Sequence, residues 1–155
     1  MRTAPDRDQL VLGLRAARTR VLEAIAGLSE EQMSRREMDG WSVKDHLAHL
    51  TVWHEMRFFE VTRIARGGRA AFPVSTEEEA EPVNSAFAQF RRDLPLRQVL
   101  EDLEFAREMV IQTVAGCEEE ALDETRYEEI GIRGGAEHDI SHAQMIAAWR
   151  GKEGI

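Results

Sequence analysis

Gly40-Trp41-Ser42-Val43-Lys44-Asp45-His46-Leu47-Ala48-His49-Leu50-Thr51-Val52-Trp53-His54-Glu55 is the stretch from which the architecture can be read. Ser42 is followed three residues later by Asp45, the spacing at which a hydroxyl and an acid satisfy each other's backbone N–H at a helix start. Trp41 stands before the cap, where an apolar residue can staple the first turn. Leu47, Leu50 and Phe58 supply an apolar stripe, with Trp53 on the adjoining face. A helix is therefore predicted from Val43, and its second turn carries His49.

Near the C-terminus His138 and His142 stand four apart, on one face of a second predicted helix. Imidazoles at that spacing are about 6 Å apart at Cβ, a span one metal ion can bridge. A neutral ring nitrogen suits zinc, nickel or iron. The expectation is that His49, His138 and His142 meet inside a helical bundle and hold one divalent metal. Three protein ligands leave a position for water or substrate, as catalytic sites do. The competing reading is that each histidine is a hydrogen-bonded core residue, since an isolated His-x-x-x-His is common.

A chain of 155 residues suits one domain and one core. Acids outnumber bases 29 to 20, for a net charge of −9. That balance argues against nonspecific nucleic-acid binding while leaving room for a local basic patch, and the acidity reads first as solubility. A single cysteine, Cys117, excludes an intramolecular disulfide and fits a reducing cytoplasm. The three glutamates that follow it argue against a reactive thiolate. The polar N-terminus does not read as a secretory signal, and no stretch approaches a membrane span. The preference for arginine over lysine suggests a bacterial, GC-rich source.

Around these segments the chain breaks into helical pieces. Asp6 with Gln9 can cap a first helix, whose face is Leu10, Leu14, Ala17, Val21, Ile25 and Leu28. Ser29 with Gln32 can cap a further turn. The helix from Val43 should run to about Arg66 and stop at Gly67-Gly68. Residues 69–94 hold Pro73, an acidic run and Pro82, and read as irregular, either a crossover or a lid. Within them Asn84 can cap a short helix burying Phe87 and Phe90. Pro95 suits the start of a helix burying Leu96, Val99, Leu103, Ala106, Val110 and Val114. Residues 118–135 read as a second irregular stretch, closed by Gly134-Gly135. The last helix is then expected from about Ala136. No period-two alternation stands out. The fold expected is all-α, a single four-helix-bundle domain over residues 1–155, with a long irregular connection between its second and third long helices.

One internal echo bears on the metal idea. Ile25-Ala26-Gly27 and Val114-Ala115-Gly116 recur at the offset of 89 that also carries His49 onto His138. A duplicated hairpin or chance would both produce it.

The remaining polar groups have two readings each. His46 can pack on Trp41 or reach a pocket rim. His54 lies about 140° round the helix from His49 and reads as surface or partner-facing. Asp45 can cap its helix or orient His49 from behind the metal, capping being favoured. Glu55, Glu137 and Asp139 can act as bases or extra ligands, although Glu137 and Asp139 also suit a helix N-terminus. Trp53, Met145 and Trp149 read as core, with pocket lining as the alternative. Asp45, His46, Trp53 and Met145 form the candidate set behind or around the metal. No nucleophile elbow, phosphate loop or dinucleotide fingerprint is present.

Trp41-Ser42-Val43-Lys44-Asp45-His46-Leu47-Ala48-His49-Leu50, with Trp53, resembles the second-helix motif of the DinB superfamily (DinB/YfiT-like proteins). His138-x-x-x-His142-x-x-x-Ile146-x-x-Trp149 resembles its last-helix motif. Asn84 and Pro95-Leu96 are most similar to the ClbS/DfsB-like branch. The resemblance runs from Leu10 to Trp149. It implies a four-helix bundle with a three-histidine site for zinc or nickel, the ligands being His49, His138 and His142. It also implies relatives that transfer or isomerise with low-molecular-weight thiols, relatives that hydrolyse reactive small molecules, and frequent homodimers. The chain departs from the family where His54 follows Trp53, a place at which relatives often carry an acid.

Three functions compete. The first is a metal-dependent enzyme, a hydrolase or thiol-dependent transferase acting on a small electrophile. The second is a noncatalytic bundle that sequesters a toxic small molecule. The third is a dimerisation module whose histidines are filler.

Overall fold

The structure, a computed structural model, describes residues 6–72, 76–118 and 132–155, with only the backbone of 132–134. Six helices appear in it: α1 Arg7–Ile25, α2 Glu30–Ser34, α3 Val43–Ala65, α4 Glu77–Arg91, α5 Leu96–Gly116 and α6 Ile132–Glu153. Among the described residues there is no strand, only an isolated bridge between Met38 and Trp41. No described helix is long and apolar enough to cross a membrane.

α3 starts as its sequence dictates. The Ser42 hydroxyl accepts from the Asp45 N–H at 3.1 Å, and the Asp45 carboxylate accepts from the Ser42 N–H at 2.8 Å. Such caps contribute about 0.5–2 kcal/mol. The turn before it needs Gly40 at φ 85°, a left-handed conformation costly to other residues. The same reciprocal cap opens α2 at Ser29 and Gln32. At α1 the Asp6 side chain accepts instead from the Asp8 N–H, at 2.9 Å.

The four long helices α1, α3, α5 and α6 form the bundle. α1 packs against α6 and α5, and α3 against α5 and α6. Two apolar clusters fill it. One joins Val21, Ile25, Val43, Leu47, Leu50, Val99, Leu103, Ala143, Ile146 and Trp149. The other joins Leu14, Val61, Ile64, Val110, Ile111 and Val114. The α5 face expected from sequence is buried at all of its six positions.

Two connections differ from expectation. The stretch 69–94 is not irregular throughout: it contains α4, fifteen residues long with Pro82 inside it. Thr76 and Glu79 form a further reciprocal cap, which the acidic run obscured. Pro82 costs α4 one backbone hydrogen bond and crowds the carbonyl four residues back, in a helix that buries none of its residues. Asn84 lies within this helix rather than capping it, and Phe90 is exposed rather than buried. The second irregular stretch, 118–135, lies over 119–131 outside the described residues. Its last four residues belong to α6, so Gly134-Gly135 is no break. Gly135 has a packing reason instead, because a Cβ there would sit 3.1 Å from Nε of Arg57.

Candidate metal centre

His49 is the seventh residue of α3 and His138 the seventh of α6. α3 and α6 pack together, and the two rings meet with Nε2 atoms 2.9 Å apart. His142, one turn beyond His138, brings its Nε2 to 3.1 Å from the same atom. The three ligand atoms all lie within 4.8 Å of one another. The expected convergence of His49, His138 and His142 is therefore present.

The electrostatics favour neutral rings. Burial lowers His49 to about 3, helped by the neighbouring His142, His46 and Arg57. Burial likewise lowers His138 to about 2 and His142 to about 4. Neutral imidazoles keep a lone pair each, and His138 Nε2, at hydrogen-bond distance from both other rings, cannot satisfy the two at once. A proton on His138 Nε2 can serve one neighbour well, and without it the lone pairs repel. Tetrahedral zinc at about 2.0–2.1 Å from each nitrogen would set them about 3.3 Å apart. The donor set thus fits a divalent cation by number and chemistry.

The triad opens onto a cavity of about 1080 Å³. Its walls are largely aromatic and apolar, with Trp41, Trp53, Trp149, Met38 and Met145 among the lining residues. Trp53 is pinned by its indole N–H donating to Asn84 of α4 at 3.0 Å, so α4 roofs one side. Met145 is half exposed at the cavity, not core, whereas Trp149 is buried and lines it. Arg57 also lines the cavity, and burial lowers its guanidinium to about 10 despite the charge of Asp139.

The other candidates divide clearly. Asp45 is engaged in the helix cap, accepting from both N–H and hydroxyl of Ser42, as the capping reading expected. His46 does both things foreseen for it. Its ring packs on Trp41 at 5.1 Å and it lines the cavity. Its Nδ1 also lies 2.7 Å from Nδ1 of His142, a contact the sequence reading missed. The signal was available, since His46 and His49 share a face of α3 at i and i+3. Glu55 pairs with Arg91 of α4 at 2.5 Å. Glu137 is exposed.

His54 corrects the sequence reading. It is 2% exposed, not a surface residue, and its Nε2 lies 2.9 Å from Oδ1 of Asp139. Asp139, also 2% exposed, accepts from Nε of Arg107 at 3.1 Å. The helical-wheel angle from His49 was right, but α3 is enclosed by α5 and α6 as well as α4, so 140° of rotation does not reach solvent. Burial would raise the Asp139 carboxyl. The His54 hydrogen bond and the charges of Arg107 and Arg57 outweigh it and hold it below the usual carboxylate value. Burial lowers His54, against the pull of Asp139, so a neutral ring donates its Nε2 proton. Arg107 is then the permanent counter-charge.

A search of curated proteins gave no match. Among solved structures, the crystal structure of an uncharacterised protein from Escherichia coli UTI89 is similar with a TM-score of 0.82. It is 14% identical, with 98% of this chain and 97% of that one covered. At that identity it speaks for the fold alone. The model of the DinB superfamily matches residues 13–149, which takes in α3 with His49 and α6 with His138 and His142. With that match across most of its length, the chain belongs to the DinB superfamily.

Proposed function

We propose that the chain is a divalent-metal-dependent enzyme acting on a small electrophilic molecule, by hydrolysis or by transfer of a low-molecular-weight thiol. The observation that carries the reading is the convergence of three neutral imidazole nitrogens at the wall of an open cavity. His49, His138 and His142 would hold the ion. When bound, such an ion supplies Lewis acidity, polarising a substrate oxygen or acidifying a water or thiol. The protein's own contribution is binding and exclusion. Trp41, Trp53 and Trp149 offer flat apolar surface for an organic substrate. Arg57 offers a fixed positive charge at the cavity lining, suited to negative charge that develops on the substrate. A volume of about 1080 Å³ is at the upper end of small-molecule sites, ample for a small organic substrate. A homodimer in the cytoplasm completes the proposal.

The test begins with metal analysis of protein purified without a histidine tag. One zinc or nickel per chain is expected, lost on His49→Ala, His138→Ala or His142→Ala. Full occupancy in all three variants would refute the reading. A panel of electrophiles is then turned over with and without thiols. Stoichiometric capture without turnover would replace the enzyme with a sequestering protein.

A further inference from the structure

We infer that His46 is the positioning residue for the metal site, an acceptor that fixes the tautomer and ring orientation of His142. The inference rests on the metal reading above. His142 turns Nε2 toward His138 and His49, and a ligand nitrogen must carry a lone pair. The single proton of its neutral ring is then on Nδ1. That atom lies 2.7 Å from Nδ1 of His46, and two nitrogens so close share one proton. His142 therefore donates, and His46 accepts at Nδ1 and keeps its own proton on Nε2.

The geometry gives His46 little freedom to do otherwise. It is 7% exposed, its ring lies tilted on Trp41 at 5.1 Å, and its backbone N–H is held by the Ser42 carbonyl. Its Nε2 is buried with no partner among the described residues. A residue placed there for packing alone would be apolar, because a buried unpaired N–H is a cost. Two neighbouring carboxylates are committed elsewhere: Asp45 to the cap of α3, and Asp139 to His54 and Arg107. Metal-bound imidazoles ordinarily give their outer N–H to a carboxylate or carbonyl. Here a neutral imidazole takes that part, orienting His142 without adding negative charge.

The test compares zinc dissociation constants of wild type, His46→Leu and His46→Asn by competition with a chromophoric chelator. Thermal melts of the metal-free forms run alongside. His46→Leu fills the space without an acceptor; it should bind zinc about 10–100-fold more weakly while the metal-free melt stays level or rises. His46→Asn puts an amide oxygen near the place of Nδ1 and should recover affinity to within about threefold of wild type. Equal weakening in both variants, or a loss of affinity that tracks a loss of metal-free stability, would overturn the inference. In zinc-loaded wild type, long-range proton–nitrogen spectra should find His142 protonated at Nδ1 and His46 at Nε2. The opposite pattern for His46 would overturn it even if neither variant folded. Wild type that binds no zinc would bring down the metal reading together with this one; wild type that binds while His46→Leu is unaffected would bring down this one alone.

Discussion

Acid should unfold the metal-free protein well above the pH at which carboxylates titrate. In the folded state His46 and His142 are lowered to about 4, His49 to about 3 and His138 to about 2, burial being the first cause in each. In the unfolded chain each returns to about 6.5. Above that value neither state binds these protons, and the groups do not alter stability. As pH falls below it, the unfolded chain takes up four protons that the folded chain refuses, so stability is lost. The slope approaches 1.36 kcal/mol per proton per pH unit, on the order of 5 kcal/mol for the four together. Integrated from neutral pH, the loss is about 3 kcal/mol at pH 6 and about 8 kcal/mol at pH 5. His54, lowered by the same burial, adds to it. A domain of about 8 kcal/mol, within the ordinary range of about 5–15 kcal/mol, would be half unfolded near pH 5. Urea denaturation followed by circular dichroism at pH 7.5, 6.5, 6 and 5.5, in chelator, measures this. A denaturation midpoint that stays level from pH 7.5 to 5.5 would refute the reasoning. Excess zinc should shift the acid transition downward, since the ion competes with protons for the same nitrogens.

Three further expectations concern the rest of the bundle. Asp139→Leu leaves the buried charge of Arg107 uncompensated and should cost about 3–5 kcal/mol, while Asp139→Leu with Arg107→Met should recover most of it; a chemical-denaturation double-mutant cycle reads the difference, and a double variant as unstable as the single one would count against the pair. Asn84→Ala removes the acceptor that holds Trp53 to α4. It should cost the bundle only about 1 kcal/mol yet raise hydrogen exchange in α4 selectively, because α4 buries no residue of its own. The thiol of Cys117 is pushed up by burial, against the pull of Arg7, and should react with a disulfide reagent only on unfolding. Fast labelling of the native protein would contradict that placement.

The bundle was legible because its signals are local. Caps at Ser29 and Ser42, the apolar faces of α1 and α5, and the stop at Gly67 are all set within a few residues, and tertiary structure left them in place. The triad was legible for a related reason: helical spacing fixes which histidines share a face, and the family motif says which faces meet. The first half of α4 was missed, and only a short helix after Asn84 was expected, because proline and an acidic run are read as breakers. In fact the acids lie at the favourable N-terminal end of a helix, beginning at Glu77, Glu78 and Glu79. His54, Asp139 and Arg107 were misplaced or overlooked for a different reason. His54 was placed by its angle from His49, Asp139 was read as a base, ligand or helix-terminal acid, and Arg107 was not singled out, although each continues a buried stripe. His54 follows Leu47 and Leu50, Arg107 follows Leu103, and Asp139 leads to Ala143 and Ile146, all at steps of three or four. Position on the stripe was the better guide.

Those three residues also explain why the core is two clusters rather than one. On α3, His54 stands between Leu50 of the first cluster and Val61 of the second; on α5, Arg107 stands between Leu103 and Val110. Asp139 of α6 joins them, so a buried polar layer crosses the bundle at the level where the clusters part. Apolar side chains would pack that layer at no electrostatic cost, and replacing buried ion pairs by such groups is often neutral or stabilising. What an apolar layer lacks is direction. Leucines on three helices tolerate sliding and rotation, whereas Asp139 meets His54 and Arg107 only at one height and one angle of α6. His138 is the residue next to Asp139, and a shift of one helical residue would carry its ring 1.5 Å along and 100° around the axis. A metal ligand cannot absorb that error. The charge buried behind the triad is therefore best understood as what sets the register of α6, with the energetic cost of its burial borne by the two apolar clusters on either side.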